Sequence, residues 1–106
     1  MMRLLDAELH RVIHAADAIE SFLIEHAPHW AGYGRHLSEL ASAFVGREVT
    51  LANFHAMQDA AYGPFRGTFG SMHDLSFFGN LEDEYQRRRM AVGQALDALE
   101  QAIVGA

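Results

Sequence analysis

Seven histidines stand among 106 residues, and they are the first residues that suggest chemistry. His10 and His14 are four apart, so a helix would place them on one face, with Asp6 and Asp17 nearby. Imidazole and carboxylate groups suit zinc or iron. His10, His14 and Asp17 therefore define one alternative, a metal-binding helical enzyme or sensor. That alternative needs further ligands from His26, His29, His36, His55 or a second subunit, and it predicts convergence on one point with His55 or His73. Against it, a helical wheel turns this face away from the apolar stripe, and the HExxH pattern is absent. A solvated histidine face is the preferred reading, and no cofactor is expected.

Ser71, His73 and Asp74 contain the residue types of a hydrolytic triad. A working triad approaches its reaction centre from different directions, which three side chains within four residues rarely achieve. The Gly-x-Ser-x-Gly elbow is absent as well. Gly67 and Gly70 do not make a phosphate loop, because there is no GxxxxGK[ST] pattern and no lysine in the chain. A local structural reading is more economical. Ser71 and Asp74 are spaced as helix cap and third helical residue, with Asp in place of the usual Glu. Alternatively, Asp74 accepts backbone N–H bonds. Either arrangement makes Gly70, Ser71 and Asp74 the residues that stabilise the loop. No catalytic residue is assigned, and the balance favours a non-enzyme.

The surrounding segment, residues 63–80, holds four Gly, one Pro and four Phe. Glycine marks turns or close backbone approach, while phenylalanine implies a packed loop. Tyr62, Arg66, Phe69, Met72 and His73 are the candidate interaction residues here, since aromatic, Arg and Met side chains anchor interfaces.

Four helices must position these groups. Leu5, Leu9, Val12, Ala16, Ile19 and Leu23 recur at helical spacing and predict a first helix over residues 3–26, ended by Pro28. Leu37, Leu40, Ala41 and Phe44 predict a second over 30–45, stopped by Gly46. Thr50 is an N-cap for a third over 51–62, with Leu51, Phe54, Met57 and Ala61 turned to the core. Asn80 is expected to cap a fourth, with Asp83 as its third residue. Leu81, Tyr85, Val92, Leu96, Leu99 and Ile103 form its apolar stripe. Gly93 within it costs up to about 1 kcal/mol relative to Ala and invites close packing or a subunit contact. Arg87, Arg88 and Arg89 spread around the helix, with Asp83–Arg87 and Glu84–Arg88 at pairing distance. The chain reads as one all-α domain over residues 1–106, a small bundle of about four helices with an ordered Gly/Phe-rich connector before the last.

Composition narrows the function classes. Half of the residues are hydrophobic, which argues against disorder. There is no cysteine, hence no disulfide or thiolate ligand. The formal charge of -6 disfavours a phosphate backbone, so no nucleic-acid partner is expected. Residues 1–27 carry too many polar groups for a signal peptide or membrane span, so the expected location is the cytoplasm, with no membrane partner.

The run Gly67-Thr68-Phe69-Gly70-Ser71-Met72-His73-Asp74-Leu75 resembles a motif of small bacterial helical domains of unknown function, roughly Gly-Met-Gly-Ser-hydrophobic-Asn-Asp-Leu. Gly70, Ser71, Met72, Asp74 and Leu75 match it, while Phe69 and His73 depart from it. The resemblance spans about residues 50–100 and implies a loop between a helix and a last helix. Some small helical relatives look like immunity proteins. The leading expectation is therefore a non-enzymatic protein-interaction domain, of the kind that neutralises a bacterial toxin. A homodimer or homo-oligomeric structural module is the remaining alternative.

Overall fold

A computed structural model describes residues 4–63 and 75–105. The chain folds as an all-α four-helix bundle: α1 (Asp6–His26), α2 (Gly32–Ser42), α3 (Leu51–Tyr62) and α4 (Asn80–Val104). A 3-10 turn, Pro28–Trp30, links the first two helices. Among the described residues no helix is long and apolar enough to cross a membrane. Residues 64–74, the middle of the Gly/Phe-rich connector, lie outside the described residues.

The bundle forms because α1 carries one continuous apolar stripe. Leu9, Val12, Ala16, Ile19 and Leu23 are fully buried, joined by Phe22 and Ala15. Leu37 and Ala41 of α2, Phe54, Met57 and Ala61 of α3, and Val92, Leu96 and Leu99 of α4 close on that stripe as one core. Each large apolar side chain removed from water contributes about 1.5–3 kcal/mol. Arg88 of α4 meets Ala18 of α1, and Tyr85 meets Phe22, so these two long helices run antiparallel.

The helix ends correct several sequence expectations. Proline does end α1 at His26, but the second helix begins only at Gly32, after the 3-10 turn. Thr50 caps α3 in a reciprocal capping box: the Asn53 N–H donates to Thr50 Oγ1 at 3.2 Å, and the Thr50 N–H donates to Asn53 Oδ1 at 3.0 Å. Asn80, by contrast, is the first helical residue of α4 and not its cap. Gly79 holds the cap position with φ +58, a conformation that favours glycine. Glu82, not Asp83, then reaches back to accept the Phe77 N–H at 3.1 Å. Leu51 and Leu81, expected in the core, are exposed. Each lies in the first turn of its helix, where the apolar period runs past the last packing partner.

Two latches close the bundle at opposite ends. At one, the Gly46 N–H donates to Asp6 Oδ1 at 2.9 Å, with Gly46 at φ +78. Leu4 bridges Glu48 beside it. At the other, Phe77 packs edge-on against Phe22 and Tyr85, both at 5.1 Å between ring centres. The His26 ring lies tilted against Phe22, with 4.6 Å between ring centres.

The tightest contact is between α1 and α2. A Cβ on Gly34 would stand 2.6 Å from the Ala16 carbonyl oxygen and 2.9 Å from Glu20 Cβ. The two backbones touch there, and the Arg35–Glu20 pair at 3.3 Å lies beside the contact. Helix propensity alone would favour Gly34→Ala by up to about 1 kcal/mol. The clash with backbone outweighs it, so Gly34→Ala should lower the urea-unfolding free energy by about 1–3 kcal/mol. Gly32→Ala, with nothing within 4 Å of its added carbon, should be neutral or stabilising in the same assay. Equal effects at the two positions would contradict the close approach.

Candidate interaction site

The arginine run of α4 separates into three environments, because successive helical residues turn by about 100°. Arg87 points outward and donates to Glu84 at 2.7 Å. Arg88 turns to α1: it holds the other oxygen of Glu84 at 2.6 Å and donates to the Ala18 carbonyl. Its guanidinium also sits 5.8 Å from the Phe22 ring centre. Glu84, and not the expected Asp83, thus takes both pairings. The hydrogen bond from Arg88 is the main reason that the Glu84 carboxyl lies below its ordinary range. Arg89 turns the third way, with its guanidinium 5.7 Å from the Tyr85 ring centre.

Around Arg89 gather all three tyrosines of the chain. Tyr33 is buried at the start of α2, set there by the backbone contact of Gly34 next to it. Tyr62 ends α3 and remains 37% exposed. Its hydroxyl lies 3.3 Å from where a Cβ on Gly93 would stand. The close packing expected at Gly93 is therefore met within the chain. Tyr33, Tyr62, Gln86, Arg89, Met90 and Gly93 line a hollow of about 240 Å³. Met90 stands at its edge, 61% exposed. Gln86, Met90, Gly93 and Asp97 recur at helix-face spacing along α4, which is the sequence signal for this face. Tyr33 and Tyr62 come from separate helices, and no spacing rule could have joined them to it.

Burial holds each tyrosine hydroxyl above its ordinary pKa. For Tyr33 desolvation comes first, Tyr85 adds to it, and Arg89 opposes it. For Tyr62 desolvation leads again, reinforced by Asp97. Both hydroxyls remain protonated donors at neutral pH. The buried Tyr85 hydroxyl has no hydrogen-bond partner among the described residues.

Of the interaction residues expected from sequence, Tyr62 is placed at this hollow. Arg66, Phe69, Met72 and His73 lie outside the described residues, as do the loop-stabilising Gly70, Ser71 and Asp74. Leu75 and Phe77, just after them, pack against the core, whereas Phe78 is 95% exposed. His10, His14 and Asp17 are all exposed on α1. Among the described residues no three His, Asp or Glu side chains are placed to hold a metal ion. His73 lies outside the described residues; among the described residues one face of α1 supplies two imidazoles, and no other element brings a third ligand to them. His10 and His14 instead border a separate groove between α1 and α4.

The tyrosine shifts carry a pH signature. A folded-state pKa above the unfolded value stabilises the fold below that unfolded value, near 10.0, and the contribution is lost as pH rises through the folded pKa. Ultraviolet titration should find the tyrosines less than half ionised at pH 10 while folded, with the melting temperature falling as pH climbs further. Half-ionisation at pH 10 in a protein that stays folded would contradict the buried placement.

In comparisons with known proteins, no protein-family model, no curated protein and no solved structure matches this chain.

Proposed function

We propose that this chain is a non-enzymatic protein-interaction domain that docks its partner at the hollow around Tyr62, Arg89 and Met90. The observation that carries the reading is the composition of that hollow. Two partly exposed groups of high contact area, Tyr62 and Met90, stand beside an arginine and a glutamine over a depression floored by glycine. Tyr and Arg dominate binding hot spots, and Met adapts to irregular partners. About 240 Å³ suits one inserted side chain better than a whole metabolite.

The narrower form of the proposal is an immunity protein that neutralises a bacterial toxin in the cytoplasm. The net charge of -6 supports it, since an acidic inhibitor is steered onto a basic partner. Residues 67–75 resemble a motif of small bacterial helical domains, which favours the same reading. Under it, the partner's own activity is toxic, and this chain abolishes that toxicity by occupying a surface.

A paired capture experiment tests the reading. Wild-type bait should retain a specific protein from the native cells under washes mild enough for micromolar binding. Met90→Asp, a change at an exposed position, should lose that protein by at least about ten-fold, which corresponds to 1.4 kcal/mol. For the immunity form, expressing the captured protein alone should arrest growth, and co-expression of wild type but not Met90→Asp should restore it. Identical capture by both baits would remove the hollow as the docking site.

A further inference from the structure

A second hollow lies on another face of the bundle, in the open groove between α1 and α4, with a volume of about 510 Å³. Its floor is alanine from both helices: Ala15 and Ala18 on α1, Ala95 on α4. Side chains this small let a third helix approach near the short end of the usual 8–10 Å axial separation. Along the groove stand His10, Arg11, His14 and Gln94, all exposed. Arg11 makes no hydrogen bond or ion pair among the described residues.

The charge of this groove is opposite to that of the chain. The whole sequence carries -6, yet no Asp or Glu lines the groove, and its single formal charge is the Arg11 guanidinium. We infer that the groove receives an amphipathic helix of a different protein, one with small or apolar residues along its seam and carboxylates at its flank. The carboxylates pair with Arg11 and accept from His10 and His14. A second copy of this chain is the poorer occupant. A two-fold interface sets the same patch against itself, and no Asp or Glu lines the groove to meet Arg11 of the other copy. This surface is distinct from the tyrosine hollow, and neither depends on the other.

The probes are two fluorophore-labelled synthetic helical peptides with the same Ala/Leu seam, one flanked by Glu and the other by Lys. Fluorescence anisotropy should show the Glu peptide binding at least about ten-fold tighter than the Lys peptide. Arg11→Glu, a surface change, should reverse that order. Ala91→Trp, which fills the groove, should weaken the Glu peptide by about ten-fold or more with the melting temperature kept, while Met90→Asp leaves its binding unchanged. Three results would each overturn the inference: no binding of the Glu peptide, equal affinity for the two peptides, or an order that survives Arg11→Glu. A dimer in sedimentation that Ala91→Trp dissociates would also overturn it, because a second copy would then fill the groove.

Discussion

The backbone contact at Gly34 is the constraint on which the rest of the structure depends. A bundle of this size has few buried side chains, so its helices must approach closely to exclude water. Gly34 lets α2 rest directly on the Ala16–Glu20 turn of α1. That seating buries Leu37 and Ala41 one and two turns further along α2. It also fixes the neighbouring Tyr33 in the space between α2 and α4. The Asp6–Gly46 latch then returns the chain to the start of α1, from which α3 runs back until Tyr62 meets Gly93. The hollow is thus a consequence of how α2 sits on α1 and where α3 stops.

Helix α4 converts that scaffold into distinct surfaces. Its arginine run could be taken as one basic patch, but the geometry assigns separate tasks. Arg88 joins α4 to α1 through Glu84, the Ala18 carbonyl and the Phe22 ring. Arg89 supplies charge to the tyrosines, and Arg87 remains at the surface with Glu84. A partly buried guanidinium that satisfies both a carboxylate and a carbonyl stabilises more than an exposed pair does. The helix that lines the tyrosine hollow is therefore anchored by the residue beside Arg89.

Much of the fold was legible in the sequence, and the misses share a physical cause. The stripe of α1 was readable because six apolar residues kept helical period over five turns, and all six are buried. The start of α3 was readable because Thr50 marks it chemically. Period alone misassigned Leu51 and Leu81, since it cannot tell where neighbouring helices stop. The cap of α4 was misplaced because a glycine at positive φ can hold the position that Asn80 suits by composition. The role of Gly34 was not legible, since close approach is a property of two helices together. For the site, Tyr62 was named from its residue type and the α4 face of Met90 was readable by spacing, whereas Tyr33 joins them through packing that no local pattern encodes. The His10–His14 spacing was real, but a shared face is only part of a metal site.

The most direct measurement is of where a partner touches the bundle. Amide chemical-shift mapping of the isotope-labelled chain, titrated with its purified partner, reads that location without altering any residue. The largest shifts are expected at Tyr33, at Tyr62 and from Gln86 to Gly93, with the α1–α2 contact at Gly34 left intact. Shifts confined to faces that exclude Tyr62 and Met90 would contradict it.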